Sequence, residues 1–522
     1  METLLTIYQK QMESCSAGET AIHWADSRLN KIEISWKQFE DEVSLRAAFL
    51  DQIGCQPGQR VFIFLEPSIE IWYFFWAALQ RGAVPCVLFP DFGADALSAR
   101  LAVGKPDYLI IDRFREKTAA VLLENQTVES FIVLSEAETP TDGRIRHFVP
   151  ADQQLSAVQV YSAAPSDPAF MIFTSGSTGF PKAVVHSHQC AEAILRSMRD
   201  VLGLTESDRF WCTAHPAWVT GTVYGVIGPI LAGVELIQYS GNFHAKRWLP
   251  ILEKQRVTVW YSAPTAFRSL MMSPAEFFSG FDLSALRAVF SIGEPLNPAV
   301  YHWGKEVLNR EIFDTWFQSE AGTIRIANRP GDAVVPGSMG MAVDDTEAHI
   351  LTEQDEECAP GTVGRLCLRE GWQSCFAAYF GQPAAFESKF RNGFYQTGDL
   401  AVRDESGRFT FVGRDDDVIN TSGHLVGPFE VESVLLEQAE IAEAGVVAAP
   451  DPLLYEKVVA FIALKDGVAW SSELETKLRV AVTTRLSGHA APKDFYILVE
   501  LPKNSAGKIL RNELRKQLLS EA

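Results

Sequence analysis

Short apolar runs alternate with segments of helical periodicity in the first third of the chain. The run 32–34 predicts a strand, and Ser35 follows as a helix cap with Gln38 in capping-box position. A buried helix is predicted at 69–80, and further strands at 61–65, 85–89, 108–111, 131–134, 169–173, 258–261, 288–291 and 312–315. This strand–helix rhythm predicts an α/β fold with a largely parallel sheet covered by helices.

The pattern of apolar and polar residues changes after about residue 335. Short alternating segments separated by Gly, Pro, Asp and Asn predict an antiparallel β region, which ends at a polar break over 413–417. The helices and strands predicted beyond the break form an α+β unit of about a hundred residues, large enough to be a separate domain. We therefore predict a large N-terminal domain over 1–412, a connection at 413–417 and a small C-terminal domain over 418–522.

Composition and charge narrow the class of protein. The 522 residues carry 46 Lys and Arg against 66 Asp and Glu, a net charge of −20, which argues against nucleic acid and anionic membranes as partners. The longest aromatic-rich apolar run, 71–79, is too short to cross a membrane, and we expect no signal peptide. The eight cysteines form no CxxC pair, which predicts reduced thiols and a cytoplasmic location.

The strongest chemical signal is the loop that follows the strand predicted at 169–173. Residues 174–179 hold four hydroxyl side chains and two glycines, and Lys182 follows closely. Glycines let backbone N–H groups approach an anion, hydroxyls donate further hydrogen bonds, and the lysine adds charge, so the loop suits a phosphate. It is neither a Walker loop nor a serine-hydrolase elbow. The alternative is a surface linker, but linkers rarely lie between a buried strand and a helix, here expected at 191–202.

Further motifs follow in chain order. They lie at 293–295, 314–322, 395–399, 413–416 and 502–508. Together with the loop, these segments resemble the AMP-forming adenylating enzymes, the superfamily of acyl-CoA synthetases, peptide-synthetase adenylation domains and luciferases. The resemblance implies a large N-terminal domain hinged at 413–417, with Asp416 as the pivot, to a mobile C-terminal domain.

The resemblance also implies a role for each matching residue. Lys508, Glu320 and Thr174 are the expected catalytic residues, with Glu320 holding Mg²⁺ and Lys508 bridging the acid and the α-phosphate of ATP. A fixed carboxylate at Asp399 would accept the ribose hydroxyls, beside the planar donor group of Arg414. The residues expected to bind ATP or AMP are Thr174, Ser175, Gly176, Ser177, Thr178, Gly179, Lys182, Gly293, Glu294, Pro295, Asp314, Thr315, Trp316, Gln318, Ser319, Asp399 and Arg414.

Two segments, 211–225 and 259–266, are similar to those of acetyl-CoA synthetases and their short-chain relatives. This similarity implies an acid pocket lined by Trp218, Val219, Thr220, Ile292 and Phe317. Phe317 stands where acetyl-CoA synthetases usually carry tryptophan, which enlarges the pocket, and Ile292 stands where valine is usual, which shrinks it. The expected substrate is an acid from acetate to about butyrate. A choice among these acids stays open, because one methylene changes binding by only about 1–3 kcal/mol.

The thiol that accepts the acyl group is less well defined by the sequence. Ser422, Gly423 and His424 are expected to line the thiol tunnel. Leu425 and Thr483, however, stand where related synthetases carry basic residues for phosphate and CoA. CoA is the expected acceptor. The alternatives are the phosphopantetheine of a carrier protein, a catalytically inactive nucleotide-binding relative, and a luciferase-like oxygenase, which no motif specifically favours.

Overall fold

A computed structural model describes residues 1–26, 28–113, 128, 130–134, 145–150, 159–175, 181–241, 243–343, 345–415, 417–421, 424–451, 453–503 and 508–521. Two mostly parallel sheets form the framework of the chain before the antiparallel region. The larger sheet is parallel in its interior and antiparallel at both edges. Its strands, in spatial order, are Met341–Ala342, Ile326–Ala327, Ile312–Trp316, Ala288–Ser291, Val259–Ser262, Arg209–Cys212, Glu235–Tyr239, Thr20–Ala25 and Lys31–Ser35.

The second sheet is parallel throughout. Its strands, in spatial order, are Val84–Val87, Arg60–Phe64, Tyr108–Asp112, Ser130–Leu134 and Ile145–Phe148. Helix Glu70–Gln80 is buried at every position from Ile71 onward, so it lies in the core rather than on the surface. Helix Trp36–Gln52 begins with the predicted capping box, in which the Gln38 N–H donates to Ser35 Oγ at 3.2 Å. Such a cap stabilises a helix by about 0.5–2 kcal/mol.

The other helices cover the sheets or connect their strands. The remaining α-helices are Leu4–Ser14, Ala94–Gly104, Ala191–Arg196, Gly228–Ala232, Ala245–Lys254, Pro264–Met271, Ala275–Phe278, Pro298–Trp303, Pro383–Glu387, Pro428–Leu436, Ser472–Arg485 and Arg511–Glu521. Single 3₁₀ or π turns occupy His188–Cys190, Ser197–Val201, Gly221–Ile227 and Gly304–Leu308. Within the described ranges, no helix is both long and apolar enough to cross a membrane.

The strand predicted at 169–173 does not continue the parallel series, and this expectation is wrong. Strand Pro168–Ser175 pairs antiparallel with Pro181–Ser187, which in turn pairs with Ala378–Tyr379 in a separate small sheet. The phosphate-type loop therefore connects the two strands of a hairpin, and the helix at 191–196 comes only after the second strand. Strand 181–187 is buried on both faces. Its sequence therefore lacks the alternation of apolar and polar residues by which a half-buried strand is recognised.

The predicted antiparallel region after residue 335 is confirmed. Strands Ala348–Leu351, Val363–Arg369, Phe394–Arg403, Phe390–Arg391 and Phe409–Arg414 form one antiparallel sheet. The C-terminal sheet is built from His424–Val426, Ile419–Thr421, Tyr455–Leu464, Ile441–Asp451 and Asp494–Leu498. The chain changes from one sheet to the other between residues 414 and 419. The predicted fold class, a large N-terminal part with mostly parallel sheets and a smaller α+β C-terminal part, is confirmed.

Candidate active site

A cavity of about 370 Å³ lies between the large sheet, the antiparallel sheet and the C-terminal part. Strands Ala288–Ser291 and Ile312–Trp316 are parallel neighbours, so their carboxyl ends open at the same edge, where ligands of α/β proteins usually bind. The structure brings most of the predicted residues to this cavity. Those that line it are Ile292, Gly293, Glu294, Pro295, Asp314, Thr315, Trp316, Phe317, Gln318, Asp399, Arg414 and Lys508.

Asp399 is the most firmly held carboxylate of the cavity. Its Oδ1 accepts from Arg414 Nη1 at 2.9 Å, and its Oδ2 accepts from Trp316 Nε1 and Gln318 Nε2, both at 3.0 Å. Only 4% of the residue is exposed. Burial raises the pKa of Asp399, and the positive charge of Arg414 counteracts this. These donors fix the carboxylate in place, which fits the ribose-binding role expected of Asp399.

Glu294 forms the opposite wall of the cavity. Its carboxylate accepts from Thr265 Oγ1 at 2.5 Å and forms an ion pair with Arg268. Burial favours the neutral acid, yet Arg268 and Thr265 together hold the pKa of Glu294 below its usual value. Gly293 before it has φ +94°, a backbone conformation that favours glycine. Sequence reasoning does not select Thr265 or Arg268, although Thr265 lies within the distinctive segment 259–266.

Lys508 reaches this cavity from the C-terminal part. Its charge lowers the pKa of Glu294 and acts on Asp399 as well. The following helix anchors it, because Arg511 Nη2 donates to both carboxylate oxygens of Glu432, at 2.7 and 2.8 Å. Lys508 therefore adds a positive charge to a cavity lined by Glu294 and Asp399, where a cation would stabilise an anionic reaction centre.

Asp314 is buried next to the segment 293–296. Leu296 N–H lies 3.4 Å from its Oδ2, and its Oδ1 has no hydrogen-bond partner among the described residues. Burial raises the pKa of Asp314 to about 8. The folded protein therefore holds this carboxyl protonated at neutral pH, which makes it a hydrogen-bond donor as well as an acceptor.

The pKa of Asp314 leads to a prediction about stability. Since the usual pKa is 3.8 and the folded value about 8, the folded state binds the extra proton between these values, and the free energy of unfolding falls as pH rises through that window. Asp314→Asn cannot ionise. We expect its stability relative to wild type to improve from pH 5 to pH 8, by at most about 1.4 kcal/mol per pH unit. Urea unfolding at each pH measures this, and parallel profiles for the two proteins would contradict it.

Lys182, on the strand after the phosphate loop, is linked to Glu320 through a tyrosine. Thr174 is paired with Lys182 across the hairpin. The Lys182 ammonium lies 5.2 Å from the centroid of the Tyr379 ring, and the Tyr379 hydroxyl donates to Glu320 Oε1 at 2.6 Å. Gly176, Ser177, Thr178 and Gly179 lie outside the described residues, and of Ser175 only the backbone is described.

Glu320 fits the expected magnesium ion. Mg²⁺ prefers one or two carboxylates together with phosphate and water oxygens rather than a cage of protein ligands. Glu320 supplies a carboxylate oriented by Tyr379, and no cluster of three or more His, Cys, Asp or Glu suited to a metal occurs in the described part of the chain. Bound with the nucleotide, Mg²⁺ would neutralise phosphate charge. Neighbouring Ser319 has a structural contact, since its carbonyl accepts from the buried His186 Nε2 at 2.8 Å.

The residues of the expected acid pocket divide into two groups. Ile292 and Phe317 line the cavity, and Phe317 packs edge-to-face on Tyr224 with ring centroids 5.6 Å apart. Trp218 instead packs on Phe89, at 4.9 Å, and neither it nor Val219 nor Thr220 is among the described residues that line the cavity. Contact of Trp218, Val219 and Thr220 with the acid stays a prediction.

The expected hinge and thiol residues are only partly described. Asp416, Ser422 and Gly423 lie outside the described residues. His424 is exposed and stacks on His489, with ring centroids 3.9 Å apart. Next to it, Leu425 is 55% exposed on the same strand. Their contact with a thiol substrate stays a prediction.

Asp399 held by three donors, Glu320 oriented by Tyr379 and Lys508 at the cavity are the arrangement expected of an adenylate-forming site. In agreement, the family "AMP-binding enzyme" matches residues 9–380, and "AMP-binding enzyme C-terminal domain" matches residues 430–508. The chain therefore belongs to the AMP-binding enzymes and is an AMP-forming acid–thiol ligase.

Individual relatives agree with this assignment. An acetyl-coenzyme A synthetase of Bacillus subtilis (strain 168) is 38% identical over 97% of this chain and 88% of its own length. An anthranilate CoA ligase solved with anthranoyl-AMP superposes with a TM-score of 0.89 at 25% identity, over 100% of this chain and 98% of that one. An acyl-CoA synthetase of Brucella canis is 30% identical with a TM-score of 0.76, over 100% and 95% of the two chains.

Proposed function

We propose that this enzyme activates a short-chain carboxylic acid, acetate to about butyrate, with MgATP and transfers the acyl group to CoA. In the first step the carboxylate oxygen bonds to the α-phosphorus, the bond to the bridging oxygen breaks, and pyrophosphate leaves. In the second step the thiol sulfur bonds to the acyl carbon, AMP leaves, and the thiol proton passes to a base. The observation that carries the choice of acid is Phe317, which lines the cavity directly after the strand that bears Asp314.

The first step depends on where positive charges lie around the α-phosphate. The carboxylate must approach an anionic phosphate, so a cation between them lowers the barrier by stabilising charge that develops in the transition state. Lys508, which acts on both Glu294 and Asp399, supports this role. The name of the Bacillus subtilis relative supports acetate and CoA as the first substrates to test.

We also propose that residues 413–417 form a hinge between domains at 1–412 and 418–522, with Asp416 as the pivot. The change from one sheet to another between residues 414 and 419 supports this boundary. Asp417 Oδ1 accepts from Arg515 Nη2, which ties the hinge to the C-terminal helix. Rotation would remove Lys508 from the cavity after adenylation and admit the thiol. Cytoplasmic location is supported by eight cysteines that are all free thiols.

The experiment is thioester formation with CoA across acetate, propionate, butyrate, hexanoate and benzoate. We expect the largest kcat/KM among the first three acids, and a preference for hexanoate or benzoate would contradict the proposed acid class. The same series with a phosphopantetheinylated carrier protein as acceptor tests the alternative thiol. Faster loading of the carrier than of CoA would overturn the choice of CoA.

Phe317 offers a sharper test of the acid pocket. Phe317→Val removes the ring from the cavity wall, so we expect kcat/KM for hexanoate relative to acetate to rise about 10-fold or more, because one methylene is worth about 1–3 kcal/mol. Phe313→Val is the matched control, since Phe313 is equally buried but does not line the cavity. An equal change of preference in both variants would show that loosened packing, not the pocket wall, is responsible.

A further inference from the structure

Lys389 is a partly buried lysine that sequence reasoning does not select. It lies between helix Pro383–Glu387 and strand Phe390–Arg391. Its ammonium lies 5.7 Å from the centroid of the Tyr395 ring, and its Nζ donates to the Gln396 carbonyl at 3.4 Å. No described carboxylate lies within ion-pair distance of it. A cation removed from water without a counter-ion is costly, so its position calls for an anionic ligand.

The surroundings of Lys389 identify where such a ligand would bind. Tyr395 donates its hydroxyl to Gln318 Oε1 at 3.0 Å, and Tyr379 donates its hydroxyl to Glu320 Oε1. Each tyrosine ring has one lysine over it, because Lys182 lies over Tyr379 as Lys389 lies over Tyr395. Two ammonium groups thus lie against the two tyrosines that hold the segment Gln318 to Glu320.

The charges at this place do not cancel. Arg414 is paired with Asp399, and Glu320 is the carboxylate whose charge acts most strongly on Lys389. Burial lowers the pKa of Lys389, and the negative charge of Glu320 opposes this shift. The positive charges of Arg414 and Lys182 add to the lowering. The site therefore has more positive than negative charge until an anion binds.

We propose that Lys389 binds the β- and γ-phosphates of ATP, opposite Lys182, and stabilises the pyrophosphate that leaves. The nucleoside end is fixed by Asp399 and Glu294, and Lys508 faces the space between them. Lys389 is acted on by Glu320 and Lys182 instead, so we assign the distal phosphates to it and the α-phosphate to Lys508. An ammonium is a compact point charge that suits a flexible polyphosphate chain. The inference rests on the proposed use of ATP.

The test compares ligands that differ only in these phosphates. Calorimetric titration of wild type and Lys389→Met with MgATP, magnesium pyrophosphate and AMP needs no acid substrate. Removing a charged hydrogen-bond partner typically costs about 10-fold or more in affinity. We expect the variant to bind MgATP and pyrophosphate about 10-fold or more weakly and AMP as well as wild type does. Lys389→Arg should recover most of the MgATP affinity.

Two further variants show whether a loss of affinity comes from the missing Lys389 ammonium. Lys31→Met removes an exposed lysine from the distant edge strand Lys31–Ser35 and should change none of the three affinities. Lys389→Gln, which keeps a donor for the Gln396 carbonyl, serves as a second neutral variant if Lys389→Met does not fold. Equal weakening of AMP and MgATP, or no weakening of either, would overturn the proposal. Wild-type binding of MgATP without turnover of any short acid would instead contradict the proposed function and leave this inference standing.

Discussion

Lys508→Ala is expected to lose adenylate formation by at least about 10²–10³-fold, while it still forms thioester from acyl-AMP that is supplied ready-made. The reason is that Lys508 lines the cavity near Glu294 and Asp399 and is proposed to stabilise charge at the α-phosphate, a contribution of about this size when one such group is removed. In the proposed mechanism the second step breaks the bond to AMP after the small domain has moved, and does not need this cation.

Two assays on the same preparations separate these steps. Acid-dependent ATP–pyrophosphate exchange reports the first step, and acetyl-CoA formation from acetyl-AMP and CoA reports the second. Lys516→Ala is a suitable control, because Lys516 is an exposed lysine of the helix that follows Lys508, and it pairs only with Glu513 among the described residues. Equal loss of both activities in Lys508→Ala would contradict the division of labour between the two domain positions.

Asp399→Asn is expected to raise the KM for ATP by about 10- to 100-fold. The amide presents N–H groups to Arg414, Trp316 or Gln318, which are themselves donors, and each donor left unsatisfied costs about 1–3 kcal/mol. The ribose also loses a charged acceptor. We expect a lower thermal midpoint for the same reason.

An ATP analogue that lacks the ribose hydroxyls tests whether the higher KM of Asp399→Asn comes from lost contact with the ribose. Wild type should lose affinity for 2′,3′-dideoxy-ATP, whereas Asp399→Asn should bind ATP and the dideoxy analogue almost equally, because the contact is already gone. Asp404→Asn, at an exposed turn, is the matched control and should behave as wild type. If Asp399→Asn discriminates against the dideoxy analogue as strongly as wild type does, Asp399 does not bind the ribose.

The motifs select residues that the structure brings together where these residues lie within one segment or one hairpin. Asp399 and Arg414 lie on paired strands of one hairpin, and Gly293 and Glu294 follow one strand, so local sequence carries their arrangement. Arg268, Tyr379 and Lys389 escape sequence reasoning because each reaches the site through packing between segments distant in sequence. No local pattern distinguishes such a residue from an ordinary arginine, tyrosine or lysine.

For the fold too, local sequence patterns predict some elements but not the contacts between distant segments. Apolar runs locate many strands of the two mostly parallel sheets and the buried helix at 70–80 within a few residues, but they do not predict Thr20–Ala25, Ile145–Phe148, Arg209–Cys212 or Glu235–Tyr239. They do not reveal the partners of strand 168–175, because an apolar strand has the same sequence pattern in a parallel sheet and in an antiparallel hairpin. The loop with its hydroxyls and glycines is recognisable all the same, since its chemistry is independent of whether a strand or a helix comes after it.

The most direct test of the proposed mechanism is acetate-dependent ATP–pyrophosphate exchange without any thiol, followed by addition of CoA to the same reaction. The mechanism predicts exchange that requires acetate and Mg²⁺, and then acetyl-CoA and AMP in equal amounts once CoA is present. Absence of exchange with acetate, propionate and butyrate, in a protein that binds MgATP, would contradict it.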